Sequence, residues 1–274
     1  MNGEGPNYYI GDVHGRRDLL DSILKFVTVH ARQRGVTPAI HFLGDIVDRG
    51  PDSKGAMDLV LKTLEENEKA VLHLGNHDEW FLEAVDTVGE FDDADSWAMH
   101  GGLKTLASYT RKEDPYKALA YVKANHQPHM DMLRRARRFT EFGPFVACHA
   151  GVDPRYDFEQ LKKGAFAGPD PFLWVRGAFL EHVNQSFRPV IHGHTIMMSG
   201  LPVVTENRIS IDTGAYSSGR LTLCILDAEL GELKFYQTLP DGNVGEVDPI
   251  LLNRGFGTVY DRLPYLFSQF EAAA

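Results

Sequence analysis

The chain has 274 residues, of which 43% are hydrophobic and 24% charged, which fits one large globular domain or two small ones. Its formal net charge of −10 argues against general nucleic-acid binding, which needs a basic surface, and no apolar run approaches the roughly 20 residues of a membrane span. The two cysteines, Cys148 and Cys224, provide no disulfide framework and favour a cytoplasmic protein.

The N-terminal part alternates between predicted strands and helices. Apolar runs at 8–10, 39–43 and 70–74 predict three strands, and a glycine directly follows each run. The first helix should end near Gly35, and Ser53 is the predicted N-cap of the second. Apolar residues recur at helical spacing in three groups: Leu20, Ile23, Leu24 and Val27; Met57, Val60, Leu61 and Leu64; Phe81, Ala84, Val85 and Val88. This βαβαβ order predicts a parallel sheet covered by helices.

The middle of the chain differs from what precedes it. Residues 89–142 are charged and aromatic without a clear strand pattern, which predicts an insert of helices and loops beside the sheet. Short strands are then predicted at 145–147, 189–191, 208–211, 221–226 and 233–236. The second half is therefore expected to add a more antiparallel sheet to the parallel one.

Polar clusters follow five of the predicted strands. They are GDVHG (11–15), GDIVDRG (44–50), GNHD (75–78), HAG (149–151) and HGHT (192–195). In α/β sheets, functional sites form at the carboxyl ends of strands, so these clusters could supply Asp, Asn and His to one rim. Carboxylate and imidazole groups suit first-row transition metals. One such cluster is weak evidence, but five in order predict a metal centre.

Taken together, the five blocks resemble the calcineurin-like metallophosphoesterases. More narrowly, they resemble the bacterial and phage members of the PPP-type serine/threonine protein phosphatase family, which also matches the segments 48–50, 173–176 and 211–215. The matching blocks run from Tyr8 to about Leu226. The resemblance implies an α/β fold of two packed mixed β-sheets flanked by helices, a four-layer αββα sandwich. It also implies one metallophosphoesterase domain over residues 1–274, with the insert at 89–142.

The resemblance further implies a role for each matching polar residue. Asp12 and His14 would bind a first divalent metal ion, Asp45 would bridge both ions, and Asn76, His149 and His194 would complete the second site. Manganese is the first choice for both ions, with iron or zinc as alternatives. His77, oriented by Asp48, would protonate the leaving oxygen, while Arg49, Arg176 and Asn76 would bind the phosphate. A hydroxide bridging the metals would attack the phosphorus directly.

The implied activity is that of a phosphoprotein phosphatase acting on phosphoserine and phosphothreonine, with phosphotyrosine as a further option. Its partners would be a phosphorylated protein or a small phosphoester, without nucleic acid or membrane. Asp78 stands where protein phosphatases of this family more usually have glutamate, so a dinucleoside polyphosphate hydrolase acting on diadenosine tetraphosphate is the alternative. A third possibility is an inactive scaffold, against which the intact set of polar residues argues.

Several other residues have a structural explanation. His41, His73 and His192 lie in or beside predicted strands and are expected to be buried structural histidines rather than metal ligands. Cys148 ends an apolar strand and is expected to be a buried apolar residue rather than a nucleophile.

Overall fold

The computed structural model describes residues 5–183 and 188–272. Its strands are β1 (Asn7–Ile10), β2 (Ala39–Phe42), β3 (Val71–Leu72), β4 (Phe139–Phe142), β5 (Phe145–Cys148), β6 (Val190–His192), β7 (Val203–Val204), β8 (Arg208–Ser210), β9 (Thr222–Asp227), β10 (Glu232–Thr238), β11 (Val244–Val247) and β12 (Ile250–Leu251). They form two mixed six-stranded sheets, in the orders β11-β10-β9-β1-β2-β3 and β12-β7-β8-β6-β5-β4.

The helices lie mostly between the strands of the first sheet and in the middle of the chain. They are α1 (Arg17–Arg34), α2 (Ser53–Glu66), α3 (Asn76–Thr87), α4 (Ala94–Trp97), α5 (Leu103–Tyr109), α6 (Pro115–Asn125), α7 (Gln127–Arg135), α8 (Phe158–Lys162), α9 (Pro171–Trp174), α10 (Gly177–Leu180), α11 (Ala215–Ser218) and α12 (Val259–Ala272). A kinked segment, Ala98–Gly102, joins α4 to α5, and Gly101 within it has a non-helical φ of 116°. In the described part of the chain, none of these helices has the length and apolar character needed to cross a membrane.

Alternating side chains of the strands build three layers of core. On β1, Tyr9 faces the second sheet and packs with Phe145 and Ile191, whereas Tyr8 and Ile10 face the layer of α1, α2 and α3. The outer face of the second sheet packs against α8, α9 and α10. Two sheets flanked by helices confirm the predicted fold class.

The strand connections differ from the expectation in two ways. The C-terminal strands β9, β10 and β11 extend the first sheet in antiparallel fashion, so that sheet is not purely parallel. In the second sheet, β5, β6 and β8 are mutually parallel, so the prediction of a more antiparallel second sheet was wrong. Parallel strands in both sheets have a common consequence: the loops that follow them can meet at one edge.

Two local predictions need correction. Asp52, not Ser53, is the N-cap of α2, and its carboxylate accepts the backbone N–H of Gly55 at 2.8 Å. Asp at the N-cap stabilises a helix by satisfying a free N–H, and it leaves Ser53 inside the first turn, where its hydroxyl faces inward. The 89–142 region contains α4 to α7, and it ends in β4, which had been expected as loop or helix. The prediction that residues 1–274 form a single domain stays a prediction.

Candidate metal centre

Five loops meet where the parallel strands of both sheets end. The loops that follow β1, β2 and β3 belong to the first sheet, and those that follow β5 and β6 to the second. They carry the following polar residues: Asp12 and His14; Asp45, Asp48 and Arg49; Asn76 and His77; His149; and His194. Each of these side chains is buried except Arg49, which is half-buried. The strand ends therefore converge as predicted.

Asp45, Asn76, His149 and His194 form one group, here named the Asn76 pocket. The Asn76 Oδ1 atom lies 2.8 Å from His194 Nδ1 and 3.0 Å from His149 Nε2. Asp45 Oδ1 lies 3.4 Å from the same His149 nitrogen. Because these atoms come from four different loops, the fold itself, not one local motif, determines this arrangement.

The backbone fixes the protonation of His149. Its Nδ1–H donates to the carbonyl of Leu43 at 2.8 Å, so Nε2 carries the lone pair that faces Asp45 and Asn76. Burial lowers the pKa of His149, and burial with the neighbouring His149 lowers that of His194 to about 2. Neutral imidazoles with an anchored second nitrogen are the form in which histidine ligates metals.

His14, Asp45 and His77 form a second group, the His14 pocket, so Asp45 belongs to both. The His14 Nδ1–H donates to the carbonyl of Val47 at 2.8 Å, and Nε2 lies 3.4 Å from Asp45 Oδ2. Arg49 crosses this pocket: its guanidinium donates to Nε2 of His14 at 3.0 Å and to Nε2 of His77 at 2.8 Å. A cation that used the His14 lone pair would therefore have to displace Arg49.

Asp48 and His77 form a hydrogen-bonded pair at the edge of the His14 pocket. The distance between Asp48 Oδ2 and His77 Nδ1 is 2.7 Å, and Asp48 is fully buried. Burial raises the pKa of Asp48, and the hydrogen bond from His77 opposes this shift. The carboxylate fixes which nitrogen of His77 points into the site, which is how such a pair orients a proton donor.

Backbone strain is concentrated in the same loops. Non-glycine residues with positive φ are His14, Asp45, Asp48, Arg49, Val88 and His194, and all but Val88 belong to the site. Such conformations cost about 1–3 kcal/mol each and persist only where the surroundings fix them. Asp78 is part of that surrounding structure, because its buried carboxylate accepts the backbone N–H groups of Ile46, Val47 and Gly75.

Two of the predicted site residues, Asp12 and Arg176, belong to neither pocket. Asp12 belongs to neither three-ligand group among the described residues, but its carboxylate accepts the backbone N–H of His194 at 3.0 Å. Gly193 allows this approach, because a Cβ there would overlap the Asp12 carboxylate. Arg176 is exposed, and its positive charge contributes to the lowered pKa of His149 and His194.

Three further residues contact the site and have no predicted role: Asp212, Tyr216 and Thr105. Burial raises the pKa of Asp212 to about 6, and the Asp12 carboxyl lies beside it. The ring of Tyr216 faces the Arg49 guanidinium at 5.0 Å. Thr105, from the insert, hydrogen-bonds Asp48. In the sequence, Asp212 lies within the segment 211–215 that carries the family resemblance. Tyr216 and Thr105 lie outside the segments that carry it.

The structural histidines and cysteines are as predicted. The histidines are buried and hydrogen-bonded away from both pockets: His41 to Asn7, His73 to the Phe42 carbonyl, and His192 to Ser210. Cys148 and Cys224 are buried and form no disulfide. Burial raises the pKa of both thiols, so neither is a ready nucleophile.

The residues present fit divalent cations. Asp12, Asp45, Asp78 and Asp212 are four buried carboxylates, and burial together with their mutual repulsion raises the pKa of Asp12 and Asp78 well above the usual range. Positive charge between the loops would relieve this repulsion. The imidazole and carboxylate oxygen donors suit manganese, iron or zinc.

The chain is similar to known phosphoesterases over the segments that carry most of these side chains. Residues 8–196 match the family described as calcineurin-like phosphoesterase. The chain is 25% identical over 225 residues to serine/threonine-protein phosphatase 2 of Salmonella typhimurium, which covers 78% of this chain and 90% of that protein.

Other relatives carry a different name. Over 158 residues the chain is 28% identical to a symmetrical bis(5'-nucleosyl)-tetraphosphatase of Vibrio parahaemolyticus, covering 58% of this chain and 49% of that protein. The match thus spans about half the length of that relative. A cold-active protein-tyrosine phosphatase of Shewanella has a TM-score of 0.54 at 16% identity, covering 90% of this chain and 81% of that one, which shows likeness of fold alone.

Proposed function

The chain belongs to the calcineurin-like phosphoesterase family, and on that premise we propose that it is a PPP-type phosphoprotein phosphatase acting on phosphoserine and phosphothreonine, with phosphotyrosine as a further substrate. Members of this family generally use two divalent metal ions. One observation carries the proposal: two ligand groups share Asp45, and His77 of one group is hydrogen-bonded to both Asp48 and Arg49. This combination supplies metal binding, proton donation and phosphate binding in one place.

The proposed ligands form two sets that share Asp45, and Asp12 would join the His14 pocket from outside the three-residue group that defines it. Asp12, His14 and Asp45 would hold one ion, and Asp45, Asn76, His149 and His194 the other. When bound, the two ions supply positive charge that binds phosphoryl oxygens and lowers the pKa of water from about 15.7 towards 7. The Val47 and Leu43 carbonyls support these assignments, because they fix the lone pairs of His14 and His149 towards the pockets.

Arg49 would serve as the mobile phosphate ligand. It is half-buried, and its guanidinium donates to the imidazoles of His14 and His77. Turning it towards a phosphate would exchange these hydrogen bonds for charge-assisted ones. The exposed Arg176 would approach the phosphate from the second sheet, and the Asn76 amide would add a hydrogen bond. Guanidinium groups match the geometry of phosphate oxygens.

His77 would donate the proton that the departing alkoxide needs. Its Nδ1–H is committed to Asp48, so Nε2 is the atom that can deliver a proton to the leaving oxygen. The Asp48 carboxylate therefore fixes the orientation in which the imidazole would meet the leaving oxygen.

We treat residues 1–274 as one phosphoesterase domain in which the 89–142 insert borders the site. Supporting this, the Lys104 ammonium donates to the Arg49 carbonyl at 3.0 Å. The natural substrate would be a phosphorylated protein or small phosphoester. The two buried, unpaired cysteines support a cytoplasmic location.

The second candidate is a dinucleoside polyphosphate hydrolase. Besides the likeness to the Vibrio tetraphosphatase, a cavity of about 410 Å³ supports it, and the Tyr216 ring in its lining lies 5.6 Å from the ring of His14. Arg16, Arg17, Asp18, Pro51, Asp52 and Tyr216 line this cavity. An aromatic ring and two guanidinium groups could hold a base and its phosphates.

A substrate panel separates these candidates. Metal-stripped protein would receive manganese, iron or zinc one at a time and be assayed on phosphoserine, phosphothreonine and phosphotyrosine peptides and on diadenosine tetraphosphate. We expect phosphopeptide hydrolysis that depends on added metal and is highest with manganese. Exclusive cleavage of the dinucleotide would replace the first candidate with the second, and no hydrolysis with any metal would favour a scaffold.

A further inference from the structure

The Asp48 carboxylate has a second partner besides His77. The Thr105 hydroxyl donates to Asp48 Oδ1 at 2.6 Å, while His77 donates to Oδ2 at 2.7 Å. Thr105 lies on α5, in the insert, and is 57 positions from Asp48 in the sequence. Both residues are fully buried. The two oxygens of Asp48 are therefore held by different partners, one by His77 and one by the insert.

The direction of this hydrogen bond is determined. Thr105 Oγ1 accepts the backbone N–H of Asp48 at 2.9 Å, and it lies 3.1 Å from the hydroxyl of Ser53. An ionised carboxylate only accepts, so the single Thr105 proton goes to Asp48. Thr105 thus bonds both the backbone and the side chain of Asp48, at a residue with φ of 71°.

The neighbouring contacts favour a role at the site over simple core filling. The insert also reaches Arg49, where a Cβ on Gly101 would overlap the Arg49 backbone, and the Lys104 ammonium donates to the Arg49 carbonyl. The chain kinks at Gly101, where φ is 116°, and glycine at this position lets the backbone of the insert approach that of Arg49. The insert therefore contacts the two site residues with the largest positive φ among the non-glycine residues.

We propose that Thr105 is a positioning residue for proton donation by His77, which it reaches through Asp48. The inference rests on the proposed function, because it requires that His77 protonates the leaving oxygen. With Thr105 in place, the Asp48 carboxylate is fixed in the plane that holds Nδ1 of His77 and aims Nε2 at the substrate. Without the hydroxyl, Oδ1 loses a partner in a buried environment and the carboxylate can rotate away from the imidazole.

The dependence of rate on the leaving group distinguishes this role from a structural one. Phenolate is a poor leaving group that needs a proton, whereas 4-nitrophenolate leaves with little assistance. Thr105→Val should lower kcat on phenyl phosphate by about 10- to 100-fold, the range for residues that orient a functional group, and lower kcat on 4-nitrophenyl phosphate much less. Thr105→Ser should restore most of the difference, and KM should change little.

Matched variants make the result specific. Thr63→Val removes a half-buried hydroxyl on α2 that bonds only the Leu59 carbonyl, and it should leave both rates unchanged. Asp48→Asn should reproduce and exceed the leaving-group dependence of Thr105→Val. If the valine variant does not fold, Thr105→Ala and Thr105→Ser make the same comparison, since both leave similar space and only serine keeps the hydroxyl.

Two failures can be told apart. If the manganese-loaded wild-type protein hydrolyses neither aryl phosphate, the proposed function is wrong and this inference is wrong with it. If the wild-type protein and Asp48→Asn behave as expected but Thr105→Val lowers both rates equally, the role of Thr105 is overturned while the proposed function stands.

Discussion

The Asn76 pocket and the His14 pocket share Asp45 but differ in what surrounds them. In the Asn76 pocket, the oxygen of Asn76 and the lone pair of His149 face each other at 3.0 Å, and the atoms come from both sheets. In the His14 pocket, the Arg49 guanidinium already occupies the space between His14 and His77. One pocket is arranged for a cation, and the other is shared between a cation and an arginine.

Because of this difference, one site can bind metal and then phosphate. Arg49 is repelled by a cation in the His14 pocket, and an incoming phosphate would attract both charges. The same residue that obstructs the His14 pocket would thus be released towards the substrate. We therefore expect unequal metal affinities, with the Asn76 pocket filling first.

The largest effect should come from Asp45, the ligand common to both pockets. Asp45→Asn removes the charge that attracts both ions, so the protein should lose both metals. The turnover rate should then fall more than about 1,000-fold, because water is no longer activated by metal. Metal content by mass spectrometry and turnover of 4-nitrophenyl phosphate would measure this.

Asp227→Asn is the matched control for Asp45. Asp227 is a buried carboxylate that forms an ion pair with Arg34. It lies at the end of β9, next to the start of β1 at Asn7 and therefore away from the site at the other end of β1. Its variant should keep metal and activity. Full turnover by metal-free Asp45→Asn protein would be incompatible with two pockets that share one carboxylate.

The second effect separates the pockets. His149→Ala should weaken the tighter of two manganese-binding events by more than about 100-fold, because it removes a direct ligand. His14→Ala should leave that event intact and abolish the weaker one. Isothermal titration of stripped protein would resolve both, with His41→Gln, which alters a buried histidine outside the pockets, as the control. Equal weakening by both variants would remove the distinction between the pockets.

The smallest effect concerns Arg49. Arg49→Ala should lower kcat/KM by about 10- to 100-fold, chiefly through KM, since it removes charge-assisted hydrogen bonds to phosphate. The same variant should bind the second manganese ion more tightly, because a competing cation is gone. Arg155→Ala, at an exposed arginine paired with Asp153, should change neither quantity. Weaker binding of the second ion in Arg49→Ala would show that Arg49 does not obstruct the pocket.

The sequence predicted the fold where periodicity and strand ends were clear. The three N-terminal strands, the helices between them and the convergence of their terminal loops could be read from apolar spacing followed by glycine and acidic residues. The antiparallel addition of β9 to β11 could not, because strand composition does not state which sheet a strand joins.

The candidate site shows the same limit at the level of single residues. Motif residues such as Asp45 and His149 were identifiable, because each follows a strand in a recognisable block. Thr105 and Tyr216 were not, since their contacts to Asp48 and Arg49 depend on how the insert and α11 pack. From the sequence, Asp78 bears only on the choice between substrate classes. In the structure, its carboxylate accepts three hydrogen bonds from backbone N–H groups and so supports the Asp45 loop.

Whether two metal ions share the Asp45 carboxylate can be tested by anomalous diffraction from crystals of the full chain equilibrated with manganese. We expect two peaks, one on each side of the Asp45 carboxylate and about 3.5–4 Å apart, the stronger one in contact with His149 and His194. Manganese peaks that lie only elsewhere on the molecule, with none beside Asp45, would contradict this expectation.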